Sequence, residues 1–251
     1  MKKGIAIISL LASVSMVTPI YATASSVNQV GQQEGVTSNE VSSNKEISFE
    51  NFLTDELYKD LPKDMEAISF YQSIEEFKKE NPSLSNEQVV QHFDDLNKFT
   101  VSYDETYEIW TSLTPSEKAL TVSSPVNAAL TKSARDKAYQ YTKNNYGRSG
   151  SGDVSDAFRH AVWNALMCKY ISKDWAQAMA TAHEDKDAAY FSKVFPDGFT
   201  GRQHTNMDLH NNQKGRDCWN VLTDSQFFVS DGDLQNRVIA KIRAGEMVTL
   251  R

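Results

Sequence analysis

The chain has 251 residues, a formal net charge of −7 at neutral pH and 40% hydrophobic residues. That length holds one domain or a domain with a smaller companion, at roughly 150 residues per domain. The acidic balance argues against a general nucleic-acid binder, which carries a basic footprint. The charge is also uneven: residues 40–110 hold 17 acidic and 6 basic side chains, whereas residues 111–251 hold 15 and 18. Two regions with different work are expected from that asymmetry.

Residues 1–24 read as a cleavable signal peptide. Lys2 and Lys3 form a positive start, Ile5 to Ile20 an apolar stretch, and Ala22-Thr23-Ala24 a small-x-small cleavage site. The expected location is therefore secreted, with no membrane anchor, and with an extracellular or cell-envelope substrate. Residues 25–48, rich in Ser, Asn and Gln without an aromatic residue, read as a disordered spacer. Export makes a bridge between Cys168 and Cys218 chemically accessible, and two separate buried thiols are the alternative.

Residues 49–105 form an acidic region of three short amphipathic helices. Phe52, Leu57 and Leu61 mark the first, Ile68, Tyr71, Ile74 and Phe77 the second, and Asn81-Pro82 stops it. Ser85 and Gln88 form a capping box that opens the third. The C-terminal domain, residues 106–251, begins on a stronger signal. Thr114 caps, Pro115 suits the first helical position and Glu117 reaches back. A helix after Pro125 ends near Gly147, and Asp153 caps an apolar helix that runs to Ile171. Further helices are expected over about 172–189, 206–214 and 234–244, with Phe227-Phe228-Val229 the one short extended candidate. The fold class is all-α: a compact multi-helix C-terminal domain preceded by a small acidic helical region.

Three segments place titratable residues where packing favours apolar ones. Asp156, His160 and Asn164 recur every fourth residue and so share a helix face, with Arg159 beside them. The rest of that helix is apolar nearly all round, which draws the charged residues into the interior. A second segment is Ala182-His183-Glu184, whose two polar side chains point about 100° apart on a helix. The third holds His204, Asp208, His210, Asn211 and Asn212, followed by Gly215-Arg216. Paired asparagines are poor helix formers and imply specific partners for their amides.

As a set these segments resemble the signature of a bacterial family of unknown function, found as a C-terminal domain in exported and toxin-like proteins. The residues that carry the likeness are Gly152 to Asn164, Ala182 to Glu184, and Met207 to Asn212 with Gly215-Arg216. Leu113 to Lys118, the helix after Pro125 and Tyr146-Gly147 resemble its lead-in. The resemblance covers roughly residues 108–220 and implies no particular activity.

Three functions fit these residues. A metal-dependent hydrolase would use His160, His183, Asp208 and His210 as ligands of a divalent ion such as zinc, with Asp156 nearby and a carboxylate such as Glu184 as general base. A metal-free hydrolase would use His160 with Asp156, or Glu184, as acid and base on an envelope polymer or lipid, with Arg159, Asn211 and Asn212 orienting the substrate. A non-enzymatic binding or toxin-like domain would use the same cluster only to fix helix packing. The sequence does not specify substrate, metal or oligomeric state.

Overall fold

The computed structural model describes residues 47–99 and 105–251; the signal peptide expected over residues 1–24 and residues 25–46 of the expected spacer lie outside these. Among the described residues there are eleven α-helices and one 3-10 turn, so the fold is all-α. In chain order they are α1 Phe49–Thr54, the 3-10 turn Glu56–Tyr58, α2 Met65–Glu80, α3 Asn86–Phe99 and α4 Glu105–Ser112. Then follow α5 Pro115–Ser123, α6 Pro125–Tyr146, α7 Val154–Tyr170, α8 Lys173–His183, α9 Ala188–Ser192, α10 Gly201–Arg216 and α11 Asp231–Arg243.

Local chemistry accounts for most of these boundaries. The Thr114 hydroxyl accepts from the Glu117 N–H at 3.1 Å while the Glu117 carboxylate accepts from the Thr114 N–H at 2.8 Å, closing the expected capping box. Asp153 caps α7 by accepting from the backbone N–H of both Ser155 and Asp156. Gly147 ends α6 in the left-handed region at φ 70°, a conformation that a Cβ penalises. Ser85 and Gln88 close the box that opens α3.

Helix α7 is the axis of the domain. From Ser155 to Tyr170 only Arg159 is not buried, and α6, α8, α10 and α11 all pack against it. An all-round apolar helix can be stable in no other setting. The α7–α10 crossing is unusually close. A Cβ added at Gly215 would lie 2.1 Å from the Ala161 carbonyl oxygen, so only glycine admits this approach. That approach sets α10 near enough for its polar face to meet that of α7.

The acidic N-terminal helices share this core. Phe52, Ile68, Tyr71 and Ile74 are buried in one apolar cluster with Leu130, Ala134 and Leu166. Large apolar side chains buried this fully contribute roughly 1.5–3 kcal/mol each. Ion pairs join the same surfaces, with Lys132 Nζ 2.5 Å from Asp64 on one side and 2.9 Å from Asp136 on the other. A buried ionic network ties α6, α7 and α11 together. Asp231 accepts from Lys137 at 2.5 Å, Lys169 at 2.6 Å and the Tyr170 hydroxyl at 2.8 Å.

Three local expectations need correction. Helix α8 stops at His183 rather than running to 189, because Glu184 turns the chain and Asp187 caps the separate α9. Helix α10 starts at Gly201, five residues before the expected start, because Thr200 and Gln203 form a further capping box. Phe227-Phe228-Val229 lies in turns, and among the described residues the one β feature is an isolated bridge between Val194 and Thr200. Of the two readings left open for Cys168 and Cys218, the structure has the separate buried thiols. Burial pushes their pKa up to about 12 and about 11, so both stay protonated. No helix among the described residues is long and apolar enough to cross a membrane.

Candidate functional site

Periodicity on two helices and one helix end assemble the site. Helix α7 presents Asp156, His160 and Asn164 one turn apart, α10 presents Asp208 and Asn212 one turn apart, and Glu184 caps the end of α8. All six are buried. His160 Nε2 lies 3.5 Å from Asp156 Oδ1 and 3.4 Å from Asp208 Oδ1. On the other side of the ring, Nδ1 lies 3.3 Å from Asn212 Oδ1 and 3.9 Å from Glu184 Oε1.

The neighbours determine which nitrogen of His160 carries its proton. Asn212 Oδ1 also accepts from Asn164 Nδ2 at 2.7 Å, which fixes it as the amide oxygen. It can therefore only accept from His160, and the ring proton belongs on Nδ1. The lone pair of Nε2 then faces two carboxylate oxygens. Of these three acceptors only Asp156 Oδ1 has a donor, from Arg159, so the contact of Nε2 with Asp208 needs a cation or an added proton.

The pairing around them confirms that the cluster is under-neutralised. Asp156 is the best satisfied, with Oδ2 accepting from the Gly152 N–H at 2.6 Å and Oδ1 paired with Arg159. Arg159 is held in turn by Ser149 Oγ at 2.6 Å and the Gly150 carbonyl at 3.0 Å. By contrast Asp208 Oδ1, Glu184 Oε1 and Asn212 Nδ2 are buried with no hydrogen-bond partner. Burial, joined by the charges of Asp156 and Glu184, pushes the Asp208 pKa up to about 9. Asp156 and Glu184 are also raised by burial, opposed respectively by Arg159 and by His183 with Lys186. Burial holds His160 well below its ordinary value, so the ring is neutral, as a metal ligand must be.

The distances fit an ion. The donor atoms of Asp156, His160 and Asp208 all lie within 4.8 Å of one another. Zinc–nitrogen and zinc–oxygen bonds of about 2.1 Å imply tetrahedral edges of about 3.4 Å. The two measured separations from Nε2, 3.4 and 3.5 Å, match that edge. One imidazole with carboxylate oxygens suits zinc or manganese better than a thiolate-seeking metal.

Beside the cluster lies a cavity of about 200 Å³, mostly apolar, with His160, Arg159 and Trp163 on its lining. His183 also faces it. Its Nδ1 is 2.8 Å from Glu117 Oε1, and its side chain is 39% exposed. The ring centroids of His160 and His183 are 6.4 Å apart.

Several expected site residues lie elsewhere. His183 pairs with Glu117 and lines the cavity instead of joining the ligands. His210 is on the exposed face of α10, bonded to the Glu246 carbonyl at 2.8 Å. The cause is angular: two residues beyond Asp208, it points about 200° around the helix. Asn211 faces the C-terminal segment, donating to the Val248 carbonyl at 2.9 Å and accepting from its N–H at 3.0 Å. It therefore orients chain, not substrate. His204 pairs with Asp197 at 3.1 Å. Asp156, Arg159, His160, Glu184, Asp208 and Asn212 do come together. Glu117 went unrecognised as a site residue because its capping role fully explains it in the sequence. Arg216 stood in the sequence only as the end of the third segment, without a role; its Nη1 donates to Asn164 Oδ1 at 2.8 Å and so locks the asparagine that fixes Asn212.

Residues 118–246 match the family described as a domain of unknown function, DUF6973. The chain belongs to that family. Comparison with curated proteins and with solved structures gives no match. The whole cluster lies inside the matched span, whereas Tyr71 and Leu113 on the cavity wall lie before it. The family description names no activity, so chemistry must be argued from the site.

Proposed function

We propose that this domain is a metal-dependent hydrolase in which Asp156, His160 and Asp208 hold a divalent cation such as zinc. The observation that carries the reading is the pair of buried carboxylate oxygens without partners, Asp208 Oδ1 and Glu184 Oε1, set around a histidine whose Nε2 lone pair faces carboxylates. Buried carboxylates in this state cost several kcal/mol unless a cation compensates them. A divalent ion would do so and would lower the pKa of a bound water.

Glu184, outside the ligand triad with its Oε1 3.9 Å from His160 Nδ1, is the carboxylate we assign as general base for that water. In such a hydrolysis water would add to the substrate's electrophilic centre, the bond to the leaving oxygen would break, and the proton taken by Glu184 would pass to the leaving group. Arg159 borders both the cluster and the cavity, and serves to orient an anionic group. The signal-peptide pattern of residues 1–24, together with the likeness to exported and toxin-associated domains, supports an activity outside the cytoplasm, on an extracellular or envelope substrate.

Elemental analysis of the purified protein, with wild type beside His160→Ala and Asp208→Ala, tests the reading. One ion per chain in wild type, lost from both variants together with hydrolysis of ester substrates, is the expected result. One observation favours a second reading without metal. With its pKa raised to about 9, Asp208 holds a proton at neutral pH that it can donate to His160 Nε2. Hydrolysis by a metal-free preparation, abolished by His160→Ala, would select that mechanism. The reading as a purely structural network is disfavoured by the unsatisfied atoms and by the cavity over His160.

A further inference from the structure

The cavity beside the cluster has its own chemical character. Its lining carries three cationic side chains, Lys132, Arg135 and Arg159, against one carboxylate, Glu117. That carboxylate is already committed to His183 and to the Thr114 N–H. Lys132 is committed as well, between Asp64 and Asp136. The two guanidinium groups differ. Arg135 meets Asp136 side-on, with Nε and Nη2 sharing a single oxygen at 3.3 and 3.2 Å, and its side chain is 47% exposed. Arg159 is less exposed: it pairs with Asp156 and donates from Nη1 to Ser149 Oγ and the Gly150 carbonyl, with its guanidinium 5.0 Å from the Tyr139 ring centre. The remaining wall is apolar and aromatic, from Tyr71, Leu113, Trp163 and Met179.

We infer that the cavity receives a phosphoester with a compact apolar substituent, the phosphate set on Arg159 and Arg135 and the substituent against Trp163 and Met179. The inference rests on the hydrolase reading for its chemistry, and on the cavity alone for binding. A planar guanidinium matches the paired oxygens of a tetrahedral anion, and two of them at the edge of an apolar space select charge together with an apolar group. Arg159 and His160 are consecutive on α7, so an anion on Arg159 lies beside the cluster that would attack it. At about 200 Å³ the space is below the ~300–1,000 Å³ of ordinary ligand pockets. It suits a small molecule or the terminal group of a larger one.

Calorimetric titration with phenyl phosphate, phenol, inorganic phosphate and benzoate, on chelator-treated and on zinc-loaded full-length protein, tests this. Phenyl phosphate should bind the chelator-treated protein at least tenfold more tightly than phenol or inorganic phosphate. Arg135→Gln should weaken it about tenfold while leaving phenol binding, zinc content and thermal stability unchanged. Equal affinity for phenol, or no effect of Arg135→Gln, overturns the inference, and benzoate binding as tightly as phenyl phosphate overturns the choice of phosphate. The metal-free titration separates the two proposals. A protein that holds no zinc yet selects phenyl phosphate defeats the metal reading alone, and a protein that holds zinc but shows no selection defeats only the cavity assignment.

Discussion

Replacing Asp208 with Asn should make the metal-free protein more stable, which is the reverse of the usual outcome for a buried site. The Asp208 pKa is raised to about 9 from an ordinary 3.8, chiefly by burial. Between those values the folded protein binds a proton that the unfolded chain has released. Stability therefore falls as pH rises through that window. At pH 7 the deficit spans 7 − 3.8 = 3.2 pH units, or about 4 kcal/mol at 1.36 kcal/mol per unit. The asparagine keeps the shape and loses the titration. In chelator at pH 7 it should gain up to about 4 kcal/mol, a gap that shrinks toward pH 4. Zinc should reverse the order. Wild type gains about 2.7 kcal/mol at a hundredfold excess over Kd, which at ~2–4 °C per kcal/mol for a domain of this size is roughly 5–10 °C in Tm. Asp208→Asn should gain almost nothing. Thermal unfolding by circular dichroism, with EDTA and with zinc at pH 5, 7 and 8, reads all of this. A variant that keeps the zinc-induced rise, or that is less stable than wild type in EDTA at pH 8, would refute the reasoning.

The other predictions concern the scaffold and the excluded residues. Asp231→Asn removes the one carboxylate shared by buried Lys137 and Lys169 and should cost about 3–5 kcal/mol in urea unfolding. Those lysines and neighbouring hydrogen bonds hold the Asp231 pKa below the ordinary 3.8 despite burial. Its stabilisation is therefore complete above about pH 4 and is lost as pH falls through the lowered value, so the wild-type advantage over the variant should vanish only in strong acid. Gly215→Ala sets a Cβ against the Ala161 carbonyl and forces α7 and α10 apart. It should cost roughly 1–3 kcal/mol and weaken zinc binding measured by competition with a chelating dye, whereas an unchanged zinc affinity would mean that the crossing does not position Asp208. His210→Ala should leave zinc stoichiometry at the wild-type value, since this side chain is exposed and bonded to Glu246; loss of the ion would return His210 to the ligand set.

Much of this protein was legible before folding was considered. Helix starts followed from short-range chemistry, as at Thr114 with Glu117 and at Asp153, because a cap is settled within four residues. The burial of Asp156 and His160 followed from an otherwise apolar helix, and their shared face from the four-residue spacing. Glu184, Asp208 and Asn212 were legible as candidates but not as neighbours. His183 and Glu184, adjacent in sequence, received opposite roles because α8 ends between them and turns the carboxylate toward His160 while the imidazole meets Glu117. Asp208, His210 and Asn211 lie within four residues of one another, yet only the first reaches the cluster. Which face of α10 meets α7 is decided by the contact of Gly215 with Ala161, a distance no local pattern encodes. The cavity was wholly invisible, since its walls come from six helices and Leu113 at the α4–α5 junction, spread from Tyr71 to His183. Sequence alone determined the all-helical class and the residue types available for chemistry. Tertiary packing decided which acceptors converge without a donor, because that depends on helix crossings between segments far apart in the chain.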